Sequence, residues 1–352
     1  MAKNISEIDT NFKVETSYSK DGFAYYNIDN EPFRIYGIFR EGDKYRRMPE
    51  AVAKSVSDGV HFLHTNTAGG RVRFKTDSSN VRITAKMGCT GRMQHFAFTG
   101  SVGFDLYEKT DDGYNYISTY IPPFESENAD FEGNVFVGEK KLRDLTINFP
   151  LYSDVCELHI GIEDGSVLLP GDEYKPELPI VYYGSSITQG GCASRAGTSY
   201  QGFICRRFDR DFINLGFSGN AKAENEMIDY ICGLEMSVFV EDYDHNAPSV
   251  DHLAATHEKL YKAVRKAHPD IPVVFMSRPK YYLTDEEQQR LDIIRKTYDN
   301  AVAAGDTNVY ILNGRQLMEM AKNEGTVDNC HPTDLGFASM AKALGDLFES
   351  IL

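Results

Sequence analysis

The strongest constraint on this chain is a change of period near residue 170. Before it, apolar and polar residues alternate in short runs, the pattern of strands with two unlike faces. After it, short apolar runs alternate with helical stretches. Arg71-Val-Arg-Phe-Lys-Thr76 and Val81-Arg-Ile-Thr-Ala-Lys86 have the first pattern. Asp112-Gly113 reads as a hairpin turn ahead of Tyr114-Asn-Tyr-Ile-Ser-Thr-Tyr120. Leu145-Thr-Ile-Asn-Phe149 and Glu157-Leu-His-Ile-Gly161 continue the series, and only Met48 to Val56 reads as a short helix. Many short strands with turn residues between them predict a β-sandwich of jelly-roll type over residues 1–170.

Leu169 to Pro179 has the Pro, Gly and charged composition of a linker, so the boundary is placed there. Beyond it, strands are predicted at Ile180–Tyr183, Phe212–Leu215, Ser237–Glu241, Val273–Ser277 and Val309–Leu312. Helices are predicted from Thr198 or Ser199 to Phe208, Glu224 to Leu234, Val250 to Ala267, Thr284 to Ala304 and Leu335 to Ile351. This alternation predicts a second domain over residues 179–352, a three-layer α/β unit with a five-stranded parallel sheet between helices. Sites in such sheets lie beyond the carboxyl ends of the strands.

Charge and spacing remove several functions. A formal net charge of −15 argues against a nucleic-acid binder, which needs a basic face, and disfavours an anionic membrane or a polyanionic substrate. No apolar run reaches transmembrane length. Met1 to Asp9 lacks the apolar core of a signal peptide, and six scattered cysteines read as free thiols, so a cytoplasmic location is expected. The glycine-containing loops have neither dinucleotide nor P-loop spacing, and the histidines lack paired metal-ligand spacing. No cofactor and no metal is expected.

Four segments carry side chains suited to chemistry, and the element pattern sends them to one edge of the sheet. Gly184-Ser-Ser-Ile-Thr-Gln-Gly190 follows the first strand and exposes a serine at a helix N-terminus, where backbone N–H groups can hold an oxyanion. Asn214-Leu-Gly-Phe-Ser-Gly-Asn-Ala-Lys222 follows the second strand and lets backbone come close. Glu241-Asp-Tyr-Asp-His-Asn-Ala-Pro248 follows the third and offers the Asn246 amide as a donor, with His245 beside it. Val327-Asp-Asn-Cys-His-Pro332 precedes the last helix, and Asp328 can orient the His331 imidazole as a general base. Each segment alone also reads as an ordinary turn or cap; the four in this order are hard to obtain by accident.

In that order the segments resemble the SGNH (GDSL-type) hydrolase superfamily over roughly residues 179–352, a flavodoxin-like fold. The resemblance implies a Ser186, Asp328 and His331 triad. It implies an oxyanion hole of the Ser186 and Gly219 N–H groups and the Asn246 side chain. The family's Gly-Asp-Ser-Leu reads Gly184-Ser-Ser-Ile187 here, and its Gly-x-Asn-Asp reads Asp244-His-Asn-Ala247. Gly103-Phe-Asp-Leu-Tyr107 is similar to the Gly-x-Asp-Leu-Tyr motif of a β-rich domain that precedes some of these hydrolases, and it reads as a strand that docks the two halves. Proteins of this shape resemble carbohydrate acetylesterases. The implied activity is hydrolysis of short acyl esters on a small-molecule or oligosaccharide substrate. By their places after the fourth and third strands, Arg278 reads as a substrate contact or equally as a structural salt bridge, and His245 as a second candidate contact. An acyltransferase or thioesterase on the same triad, and a carbohydrate-binding protein with a vestigial hydrolase domain, are the alternatives. The oligomeric state is not legible.

Overall fold

A computed structural model describes residues 15–124, 130–175 and 178–352. The N-terminal segment read for a leader, and Pro176 and Glu177 of the linker, lie outside them.

The alternating strands form two antiparallel sheets. One runs Tyr18–Lys20, Phe23–Asn27, Ser153–Glu163, Asn80–Thr90, Phe131–Phe136. The other runs Leu168–Pro170, Arg71–Thr76, Arg143–Asn148, Phe104–Thr110, Gly113–Tyr120, with Arg34–Tyr36 also paired to Arg71–Thr76. The inner faces meet in one core: Val81, Ile83, Leu158 and Ile160 from the first sheet, Val72, Phe74, Leu106 and Ile147 from the second. Each such burial contributes roughly 1.5–3 kcal/mol. The helix read at Met48 to Val56 is observed as Glu50–Val56, followed by Asp58–Leu63.

The polar face of an antiparallel sheet is commonly left in solvent. The second sheet departs from this, because the rest of the chain packs there. Arg71, Arg73, Asp105 and Tyr107 lie opposite the core-facing residues and are all buried. Each is compensated, as burial of charge requires. Arg71 pairs with Asp211 and donates to the Phe212 carbonyl at 3.1 Å. Arg73 stacks 4.5 Å from the Tyr174 ring centre and pairs with Asp144 at 3.4 Å.

The parallel sheet runs Phe212–Gly216, Ile180–Gly184, Val238–Asp242, Val273–Met276, Val309–Leu312. The order reverses at Ile180–Gly184, which places a topological switch point at its carboxyl end. Helices Tyr200–Phe208 and Asp334–Ile351 cover one face, packing Ile204, Phe337 and Leu344 against Tyr182, Val240 and Val274. Asn225–Cys232, Val250–Ala267 and Asp285–Ala303 cover the other, packing Ile228, Leu253 and Ile294 against Val181, Phe239 and Phe275. Ser199, Ser249 and Thr284 cap their helices through side-chain oxygens. The edge strand Phe212–Gly216 does not face water. Arg71 bonds the Phe212 carbonyl, and the buried Arg47 donates to the carbonyls of Asn214 at 3.1 Å and Gly216 at 2.6 Å. Guanidinium groups from the antiparallel half thus close a sheet edge that would otherwise expose unpaired carbonyls.

Candidate active site

At the carboxyl end of Ile180–Gly184 the chain turns at once into the helix Ser186–Gln189. Gly184 makes the turn possible: a Cβ there would meet Thr188 Oγ1 at 2.1 Å and the Asp242 carbonyl at 2.2 Å. Ser185 Oγ accepts from the Ile187 N–H at 3.1 Å and caps this helix. Ser186 is its first residue, 7% exposed at the helix N-terminus. Ser185, which stands where the family has an acid, therefore has a capping role. A carboxylate still lies under the turn, supplied by the neighbouring strand. Asp242 Oδ2 accepts from Thr188 Oγ1 at 2.9 Å and Tyr200 OH at 3.1 Å, and burial pushes its carboxyl up to about 8.

The loop before the last helix meets this turn. Ser186 Oγ lies 2.9 Å from His331 Nε2, and His331 Nδ1 lies 2.8 Å from Asp328 Oδ2. Asp328 Oδ1 accepts the backbone N–H groups of Cys330 at 3.0 Å and His331 at 2.7 Å, so the carboxylate organises the loop as well as the ring. Partial burial pushes the Asp328 carboxyl up, but these N–H donors and the His331 side chain hold it below its ordinary value. The Cys330 side chain first, then Asp328, lift the His331 imidazole to about 9 against partial burial. A serine hydroxyl, an imidazole and a carboxylate in one hydrogen-bonded line can pass the serine proton to the imidazole during attack on a carbonyl.

Gly219 lies in the turn after Phe212–Gly216 and is exposed. Asn246 ends the single turn Asp244–Asn246 after Val238–Asp242. Asn246 Oδ1 accepts from the Ala221 N–H at 3.4 Å, which ties the amide to the Gly219 loop and leaves its NH₂ group to donate elsewhere. Both segments rise from strands flanking Ile180–Gly184, on the edge that carries Ser186.

Arg278 and His245 line one polar cavity of about 240 Å³ with Asp244, Thr284, Glu287 and Arg290. His245 Nε2 is 3.7 Å from Cys330 Sγ, so the cavity adjoins the His331 loop. Burial, then the charges of Arg278 and His331, lower the His245 imidazole to about 3 and keep it neutral. Arg278 Nη1 pairs with Glu287 at 2.9 Å, while the buried atoms Arg278 Nε, His245 Nδ1 and Asp244 Oδ1 make no hydrogen bond within the protein.

Sequence reasoning missed what the antiparallel half brings. Tyr152 OH donates to the Ser186 carbonyl at 3.1 Å, and His95 Nε2 lies 4.0 Å from Asp328 Oδ2. Neither stands in a motif; Tyr152 meets Ser186 from the other side of the linker, and His95 meets Asp328 across more than two hundred residues of chain. The Gly103-Phe-Asp-Leu-Tyr107 segment does dock the halves. Asp105 is fully buried and accepts from Asn148 Nδ2 at 2.7 Å, the Gly197 N–H at 2.8 Å and Arg195 at 3.3 Å. A Cβ on Gly197 would meet Tyr107 and Asp105 within 2.9 Å, so the approach needs glycine. The same loop reaches the last helix, where Asp334 accepts from the Ser194 N–H at 2.8 Å and Thr198 Oγ1 at 2.7 Å. Asp105 is thereby linked, through one loop, to the first turn after His331.

Comparison with known proteins agrees with this layout. Residues 177–349 match the GDSL-like lipase/acylhydrolase family, and residues 23–168 match the N-terminus of SGNH-hydrolase-type esterases. None of the curated proteins compared matches the sequence. Among solved structures, the chain is similar to a protein of Bacteroides ovatus described as a GDSL-like lipase, with 25% identity and a TM-score of 0.84 over 94% of this chain and 98% of that one. It shares its fold with a salicylyl-acyltransferase from a tetracycline biosynthetic pathway, at 16% identity and a TM-score of 0.75 over 94% and 98% of the two chains. It also shares the fold of a family two carbohydrate esterase from Clostridium thermocellum solved with cellohexaose, at 14% identity and a TM-score of 0.61 over 90% and 98%. The chain thus carries a GDSL-like lipase/acylhydrolase domain behind the N-terminal domain of an SGNH-type esterase, and it is an ester-hydrolysing enzyme.

Proposed function

We propose that this enzyme removes short acyl groups, acetyl foremost, from carbohydrate through an acyl-enzyme on Ser186. The observation that carries the reading is the unbroken line Ser186 Oγ–His331–Asp328, with spacings of 2.9 and 2.8 Å. His331 takes the Ser186 proton as the oxygen attacks the ester carbonyl, and Asp328 steadies the imidazolium. The Ser186 and Gly219 N–H groups and the Asn246 NH₂ receive the oxyanion. His331 then protonates the departing alcohol, and water releases the acyl group by the same route. The cavity around His245 and Arg278 supports a polyhydroxylated leaving group, because its lining of charged and polar side chains suits hydroxyls better than an alkyl chain. The six free thiols fit action in a reducing cytoplasm, on oligosaccharides imported with their acetyl groups.

An acyl-release screen tests this over acetylated oligosaccharides, acyl-CoAs and nitrophenyl esters of graded chain length, with Ser186→Ala as the blank. Acetate release from the oligosaccharides is expected to exceed release from the other classes. Preference for long acyl chains or for acyl-CoA would overturn the substrate assignment. The fold shared with the salicylyl-acyltransferase favours a second reading, transfer to an acceptor alcohol. Transfer products in the presence of added alcohols would distinguish it from hydrolysis.

A further inference from the structure

We infer that His95, Cys192 and His331 form a binding site for a borderline-soft divalent cation of the zinc class, and that its occupation switches hydrolysis off. The three come from separate parts of the fold. His95 lies in a loop of the antiparallel half, Cys192 in the turn after the nucleophile helix, and His331 in the loop before the last helix. One ligand atom from each lies within 4.8 Å of the other two. Spacing along the chain held no sign of this, because metal motifs are read from neighbours in sequence. Two imidazole nitrogens and a sulfur make a donor set that favours zinc over magnesium or calcium. Ligand atoms bound at about 2.0–2.3 Å to a tetrahedral ion stand roughly 3.3–3.8 Å apart, so the observed separations close with about an ångström of movement. His95 can supply that movement, since its side chain is 41% exposed.

Two further features fit this use. Cys192 holds a left-handed backbone, φ 76°, a conformation that favours glycine, and its side chain is kept beside His331 all the same. Asp328 already holds His331 at 2.8 Å, the carboxylate–imidazole arrangement that orients metal-bound histidines. Binding exchanges the Cys192 thiol proton for the cation and releases that proton to solvent, with no change of oxidation state. Either ring nitrogen of His331 gives the same outcome. Coordination at Nε2 takes the lone pair that must accept the Ser186 proton, and coordination at Nδ1 displaces Asp328.

The inhibitory effect rests on His331 being the base of the proposed mechanism; the binding does not. Cobalt(II) titration of the full-length protein reads the binding directly, through the thiolate-to-cobalt absorption in the near ultraviolet. The expected result is one equivalent bound with that band, the band lost in Cys192→Ser, and affinity weakened at least tenfold in His95→Ala. Circular dichroism checks that each variant is folded. Survival of the band in Cys192→Ser, or its loss only in Cys330→Ser, would overturn the site. In parallel, nitrophenyl acetate turnover with and without zinc chloride is taken as a ratio for each variant, so that changes in basal rate cancel. Zinc should inhibit the native enzyme reversibly to EDTA, and at least tenfold more zinc should be needed in the two variants. Cobalt binding with the thiolate band but no zinc inhibition would overturn the switch while leaving the site in place.

Discussion

In the parallel half, the groups at the site leave the carboxyl edge of a sheet: Ser186, Gly219 and Asn246 follow consecutive strands, and His331 precedes the closing helix. In the antiparallel half, Arg71, Arg73 and Asp105 project from within strands onto a sheet face, and Tyr152 and His95 come from connecting loops. In the proposed mechanism the first set meets the substrate. The second is arranged to meet the first set, and its buried charges Arg71, Arg73 and Asp105 each face an opposite charge. The difference teaches that an active site can divide its reacting atoms from the groups that hold them in register. The reacting groups then tolerate exposure, while the holding groups must satisfy every buried charge.

Four substitutions test this division. The largest effect is expected from Ser186→Ala, which should lower esterase turnover by about 10⁵ or more with an unchanged melting temperature. Undiminished turnover in the folded variant removes Ser186 from the chemistry. Asn246→Ala should cost about 10²–10³ in kcat, the range for loss of one oxyanion donor, with stability nearly unchanged. A loss confined to KM would count against that role.

Asp105→Ala should do the reverse. It strips the Gly197 N–H, Asn148 and Arg195 of a buried acceptor and should cost about 3–5 kcal/mol in urea unfolding. Turnover per folded molecule should change far less than in Asn246→Ala. A loss of turnover without a loss of stability would break the division between reacting and holding groups. The smallest effect concerns pH. In the proposed mechanism the neutral imidazole is the base, so a His331 value held at about 9 should make kcat/KM rise with pH up to that region. Cys330 is the largest cause of the elevation, so Cys330→Ala should move the acid limb to lower pH and raise the rate near neutrality. An unmoved limb would show that Cys330 does not set the base.

Helix and strand positions in the parallel half were legible almost to the residue. Val250–Ala267 and Val309–Leu312 fall where the pattern put them, and Thr284 and Ser199 cap the helices they precede. Local signals suffice there, because capping residues and buried apolar runs mark each element. Alternation located the antiparallel strands Arg71–Thr76 and Gly113–Tyr120 equally well. It left open what covers most of their polar faces, since a period of two says which residues share a face and nothing about what covers it.

The sequence by itself determined the two architectures, the order of their elements and the edge of the sheet to which Ser186, Gly219, Asn246, Asp328 and His331 would come. These follow from periodicity, capping and the rule that sites lie at the carboxyl ends of parallel strands. Only the tertiary structure decided that Arg47 and Arg71 seal the outer strand and that Asp105 grips the loop leading to Asp334. It alone brought Tyr152, His95 and Cys192 around Ser186 and His331. Those contacts join groups far apart in the chain through single hydrogen bonds and close approaches. Such interactions depend on the relative placement of two packed bodies and leave no periodic trace in the residues that make them.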